Sequence, residues 1–257
     1  MKVKLLFILL LGVQIIIYSQ GIHNKYDNIL HKYVKHGLVD YSALKNDKEF
    51  EDYIKEIESF DISTLSDKNE KLAFWINVYN AFTLKVVKDN YPIESINELH
   101  TGGRILAHIF SSTVWDKDLF KVGGEKISLN EIEHVKIRKE LNEPRIHFAL
   151  VCAAISCPEL RDEAYSAEKI DAQLDNQAER FISAYGKNYF DLKKRKAFLS
   201  KIFDWYEGDF GNSEKDVLIF LSKYLNGEIA SDLKSNIDKW EVEYLPYDWK
   251  LNDIANN

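Results

Sequence analysis

Residues 71–92 read KLAFWINVYNAFTLKVVKDNYP. From Leu72 to Val87 the run is apolar nearly all round, which predicts a helix buried on most of its sides. Pro92 ends it, because a proline ring disfavours helical geometry in the residue before it. Asn77 and Asn80 stand three apart inside the run, on neighbouring turns. Buried amides need partners. They can clamp the backbone of an adjacent loop, or orient a catalytic group or a ligand.

A helix of this kind needs covering elements, and the chain supplies them on both sides. Upstream, Ile22 to His36 carries Tyr26, Leu30, Tyr33 and Val34 at helical spacing, with Gly37 as its stop, and Leu38 to Tyr41 is extended. Glu49 to Phe60 places Phe50, Tyr53, Ile54 and Ile57 on one helical face. Downstream, Phe120 to Ile127 predicts a hairpin turning at Gly123-Gly124, and Ser128 to Glu131 has the pattern of a capping box opening a helix to Leu141. Pro144 breaks that helix. Arg145 to Cys152, RIHFALVC, is apolar on both faces and predicts a central strand. Ser166 is expected to cap a helix through Ile182. Residues 189–192 and 197–202 suggest a second hairpin, Val217 to Leu225 a further helix, and 244–249 an extended aromatic tail. The expectation is a mainly helical α+β single domain over 21–257, with a small sheet around a central strand near 145–152.

The first twenty residues read differently. Lys2 and Lys4 precede a nearly unbroken apolar run, Leu5 to Tyr18, and polar residues follow at Ser19 and Gln20. Such a run suits a signal peptide over 1–20 and falls short of the roughly 20 residues that span a bilayer. Export to the periplasm or the extracellular space is expected, with no membrane span after signal removal. A retained N-terminal anchor is the alternative.

Composition bounds the rest. The chain has 257 residues, 46% hydrophobic and 29% charged, which suits a soluble domain able to bury a large core. Of 34 basic residues, Lys2 and Lys4 would leave with the leader, so 32 face 41 acidic ones, about −9. That charge offers no attraction to a phosphate backbone, and no nucleic-acid partner is expected. Two cysteines are too few for a disulfide scaffold.

Chemistry concentrates where the expected strand runs into a turn of small residues, Cys152-Ala153-Ala154-Ile155-Ser156-Cys157-Pro158. A cysteine there can meet a substrate, and it becomes a nucleophile when an imidazole, a cation or a donor lowers its pKa. His147 lies in the same stretch and His134 on the helix before it. On a 3.6-residue wheel Glu131, His134, Val135, Arg138 and Leu141 share a side, which predicts that His134 faces inward, either as a satisfied structural histidine or as a positioned base. All seven histidines precede both cysteines, which excludes the papain-like order of cysteine before histidine. Other readings of the cysteines are a disulfide, two inert core residues, or metal ligands with His147. A C-x4-C pair lacking further clustered ligands is not a zinc signature, so no metal or other cofactor is expected. A second candidate is the acid-aromatic run Asp204-Trp205-Tyr206-Glu207-Gly208-Asp209-Phe210, suited to a glycan or a cation.

Four stretches together resemble the domain of unknown function 547 family. They are Phe74 to Ala81 (FWINVYNA), Ile127 to His134 (ISLNEIEH), Arg145 to Leu150 with Cys152 and Ser156-Cys157-Pro158, and Leu199 to Tyr206 (LSKIFDWY). Tyr247-Asp248-Trp249 also fits, and Lys136 departs from the family pattern where an apolar residue is expected. The resemblance implies that Asn77, Asn80, Glu131, His134, His147, Cys157 and Asp204 occupy motif positions. It carries no reaction. The residues themselves suggest a thiol-dependent hydrolase or acyl transferase, with Cys157 as nucleophile, His134 or His147 as base and Glu131 or an asparagine as orienter. The alternative is a non-catalytic envelope protein that binds a small molecule, peptide or glycan through Asn77, Asn80, Asp204, Trp205 and Tyr206.

Overall fold

The computed structural model describes residues 21–99 and 113–256. The expected leader, His100, Gly102, Gly103 and His108 lie outside the described residues.

The fold is mainly helical α+β. Helix α1 (His23–Tyr33) leads into the short antiparallel pair β1 (Val34–Lys35) and β2 (Leu38–Val39). The turn between them takes His36 and Gly37 into positive φ, at 51° and 78°, so α1 stops short of the predicted His36. Helix α2 (Lys48–Glu58) is capped by Asp47, which accepts from the Phe50 N–H, and buries the predicted face of Phe50, Tyr53, Ile54 and Ile57.

Helix α3 (Lys68–Asn90) is the all-round apolar run, and every residue from Leu72 to Leu84 is buried. Its two amides resolve as backbone clamps. Asn77 donates to the Tyr165 carbonyl at 2.8 Å and accepts from the Tyr165 N–H at 2.9 Å. Asn80 donates to the Ala149 carbonyl at 2.9 Å and accepts from the Val151 N–H at 3.0 Å.

The predicted hairpin is present as β3 (Phe120–Val122) and β4 (Glu125–Ile127). The Glu131 N–H then donates to Ser128 Oγ at 3.1 Å, and residues Ile132–Lys139 continue as a π-helix rather than an α-helix. The inward face drawn through His134 is overturned: His134 and Val135 are exposed, and Glu133 is buried on the opposite face with Leu129, Ile132 and Ile137.

The central strand predicted at 145–152 is not one. Pro144–Phe148 is a 3-10 helix entered from Glu143, whose side chain caps the Arg145 N–H, and a turn at Ala149 follows. Ala149 and Leu150 both donate back to the Ile146 carbonyl at 2.9 Å. Asn80 supplies the bonds that a neighbouring strand would have given Ala149 and Val151. A short apolar run signals burial and does not separate a strand from a helical turn.

Helix α4 (Ile170–Ser183) begins four residues after the predicted cap, and the Ser166 N–H donates to Gln173 Oε1 at 3.0 Å. Strands β5 (Tyr189–Asp191) and β6 (Lys196–Leu199) form the second hairpin, and β7 (Glu241–Tyr244) adds to β6 in parallel. Helix α5 (Glu214–Leu221) and helix α6 (Gly227–Asn236) lie between them in sequence.

Apolar residues gather in two clusters. One surrounds α3, and the other gathers Phe148, Phe181, Phe203, Phe210 and Phe220. Phe148 belongs to the second cluster and Ala149 to the first, so the segment bearing His147 and Cys152 passes from one to the other.

Candidate active site

The 152–158 turn is fixed from outside by the C-terminal tail. The N–H of Ile155 donates to the Lys250 carbonyl at 2.9 Å, and that of Asn252 to the Ala153 carbonyl at 3.0 Å. The Asp248 N–H donates to Ser156 Oγ at 2.8 Å. Inside this frame Ala153 is held at φ 60°, a left-handed conformation that costs about 1–2 kcal/mol for a residue with a Cβ. The strained position directly follows Cys152.

Both cysteines are free thiols. The Cys152 N–H donates to Cys157 Sγ at 2.7 Å, and Tyr247 Oη lies 3.2 Å from Cys152 Sγ. The two sulfurs are therefore driven apart in acidity. Burial pushes the Cys157 thiol up, but hydrogen bonds from Cys152 and Tyr247 and the nearby Lys187 charge outweigh it, leaving the group below the ordinary thiol value. Burial and the neighbouring Cys157 push Cys152 well above it. Lys187 Nζ donates to the Cys157 carbonyl.

His147 shares a cavity of about 160 Å³ with both cysteines. Its Nε2–H donates to Asp209 Oδ2 at 2.6 Å, and its ring stacks on Tyr206 with centroids 3.9 Å apart. Arg138 grips the same carboxylate with two N–H groups, at 2.6 and 2.9 Å. Burial opposes ionisation of Asp209, yet His147 and Arg138 hold its carboxyl far below the usual carboxylate range. With Nε2 committed to Asp209, a neutral His147 keeps its lone pair on Nδ1.

The buried Glu133 reaches the same cavity, where Tyr79 Oη donates to its Oε2 at 3.2 Å. Burial first, then the Glu133 charge, lifts the Tyr206 phenol far above its ordinary value. At the rim Trp205, Tyr247 and Trp249 pack together with centroids 4.6 to 5.8 Å apart, and Trp205 is 45% exposed.

Of the residues singled out from sequence, Cys157, His147, Trp205 and Tyr206 meet at this cavity. Asn80 supports it through the Ala149 and Val151 backbone, while Asn77 clamps Tyr165 elsewhere. His134 lies outside: its Nδ1 accepts from Arg138 at 2.8 Å, since a guanidinium only donates. It connects to the site through Arg138, which holds Asp209. Glu131 is half-buried and does not line the cavity, and the exposed Asp204 pairs with Lys201 at 2.7 Å. Sequence reasoning missed Glu133, Tyr79 and Tyr247 as site residues and Asp209 as the partner of His147. A helical face drawn through Leu129, Ile132 and Ile137 includes Glu133 and leaves out Glu131. Asp209 stands in the sequence only as one acid of the 204–210 run, with nothing local to tie it to His147. Among the described residues no group of three or more His, Cys, Asp or Glu side chains is placed to hold a metal ion.

Residues 62–182 match the family described as "Protein of unknown function, DUF547", in keeping with the resemblance drawn from the motifs. His147, Cys152, Cys157 and Glu133 fall inside the matched stretch, and Asp209 and Tyr247 beyond it. No curated protein and no solved structure matches the chain.

Proposed function

We propose that this chain, which resembles the DUF547 family over residues 62–182, is an exported thiol-dependent hydrolase or acyl transferase. The observation that carries the reading is Cys157, whose sulfur accepts the Cys152 N–H at 2.7 Å within a cavity that His147 also lines. A sulfur held by a backbone donor favours the thiolate, the form that attacks.

In the proposed reaction the Cys157 thiol gives its proton to His147 Nδ1, and Sγ bonds to the acyl carbon of the substrate. The tetrahedral intermediate expels the leaving group, which takes that proton from His147 and leaves a thioester on Cys157. Water or a second acceptor then attacks the thioester, yielding its proton to His147. Release of the acyl product returns the proton to Cys157. Asp209, braced by Arg138, keeps His147 in the tautomer this cycle needs and stabilises its cationic form.

Hydrolysis of p-nitrophenyl acetate tests the proposal. Cys157→Ala and His147→Gln are expected to lose roughly 10²-fold or more of kcat/KM. Wild-type turnover in Cys157→Ala would refute it. The aromatic trio at the rim favours a second reading, a non-catalytic peptide- or glycan-binding envelope protein. Glycan or peptide binding kept in Cys157→Ala, with no esterase activity in the wild type, supports that one.

Export rests on Lys2, Lys4 and the apolar run to Tyr18, and no helix among the described residues is long and apolar enough to cross a membrane. An N-terminus near residue 21 on the secreted product supports it, and an intact N-terminus on cell-retained protein counts against it.

A further inference from the structure

The buried Glu133 carboxylate carries an inference about what the cavity takes. Glu133 is 7% exposed, and phenols hold it, Tyr79 donating at 3.2 Å and Tyr206 beside it. No lysine or arginine is among the described residues that line the cavity. The cations nearby serve other groups: Arg138 holds Asp209 and His134, and Lys187 donates to the Cys157 carbonyl. The Arg138 charge also acts on Glu133, but its N–H groups are committed to Asp209 and His134, so the buried carboxylate is held mainly by phenols, which leave its charge incompletely compensated.

The rest of the lining is aromatic. Tyr79, Trp115, Tyr206, Tyr247 and Trp249 face the same space, and such rings attract cations through their π faces. The volume, about 160 Å³, limits the occupant to one side-chain-sized group, since a cavity of about 150 Å³ takes a single benzene.

We infer that the cavity binds the end of an aminoalkyl chain, with its ammonium group on Glu133 and its methylenes against the aromatic rings. The substrate class is thus an acyl compound or acyl acceptor that carries a primary amine. That assignment as substrate rests on the acyl-transfer reading, whereas the ammonium site itself does not require the thiol to react.

The test is a titration followed by tryptophan fluorescence or ligand-observed NMR, in which neither readout depends on turnover. n-Butylammonium and its neutral counterpart 1-butanol are added separately to the wild-type chain, Glu133→Gln and Cys157→Ala. The expected result is a preference of about tenfold or more for the ammonium in the wild type, loss of that preference in Glu133→Gln, and its retention in Cys157→Ala. Equal affinity of the wild type for the two probes overturns the inference, and needs no variant to fold. A preference that survives in Glu133→Gln overturns the role of Glu133. If the preference holds while p-nitrophenyl acetate turnover is independent of Cys157, the cation site stands and the thiol reading fails.

Discussion

His147 Nε2 and Asp209 Oδ2 meet at 2.6 Å across 62 positions of sequence, and Arg138 closes on the same carboxylate from the π-helix. The imidazole is buried and the carboxylate partly so, with side-chain exposures of 2% and 26%. An acid held in this way orients a base; it need not touch substrate.

Asp209→Asn therefore tests orientation. The amide keeps the shape, but it can present an N–H to His147 and invert its tautomer. Esterase kcat is expected to fall by roughly 10²–10⁴-fold with little change in KM. A KM increase with unchanged kcat would assign Asp209 to ground-state binding instead.

Cys157 and Cys152 are expected to alkylate differently. Iodoacetamide followed by peptide mapping across a pH series should label Cys157 first, with a midpoint below the ordinary thiol value of about 8.5. Cys152, held upward by burial and by Cys157, should label only at higher pH or after denaturation. A fully oxidised pair in freshly purified protein, or equal labelling of both, would contradict the acidity order.

Asn77 and Asn80 separate stability from site geometry. Each alanine substitution strands one buried carbonyl and one N–H and should cost about 2–4 kcal/mol in urea unfolding. Asn80→Ala should also slow Cys157 alkylation, because Asn80 holds Ala149 and Val151. Asn77→Ala should leave that rate near wild type, because its loop partner is Tyr165.

His23 makes the fold acid-sensitive. Burial lowers its pKa from 6.5 to about 3, and its Nδ1 lies 2.8 Å from Tyr53 Oη. The unfolded chain binds a proton below about 6.5 that the native chain refuses until about 3. The stabilisation is complete above the unfolded value and declines as pH falls through that window, by a few kcal/mol in all. Urea midpoints at pH 7.5 and 5 measure the decline, and His23→Asn should flatten it. An unchanged slope in that variant would place the sensitivity elsewhere.

The sequence revealed what local pattern controls. The burial of α3 followed from apolar residues all round the helix, and the covering face of α2 from Phe50, Tyr53, Ile54 and Ile57. His147 and Cys157 could be tied to one place because ten positions separate them. Asp209 and Tyr247 could not, since chain folding alone brings them 62 and 95 positions back to His147 and Cys152. The strand expected at 145–152 failed because Asn80, not a neighbouring strand, satisfies that backbone. Glu131 displaced Glu133 in the reading because the face was drawn through His134 and not through the apolar Leu129, Ile132 and Ile137, with which Glu133 is buried.

Intact-mass analysis after brief exposure to p-nitrophenyl acetate at acidic quench tests the central claim most directly. The account predicts a single acetyl group on the wild-type chain, mapped to Cys157 and released by hydroxylamine, and its absence from Cys157→Ala. Equal acetylation of Cys157→Ala, or none in the wild type while ester is consumed, would contradict a Cys157 acyl-enzyme.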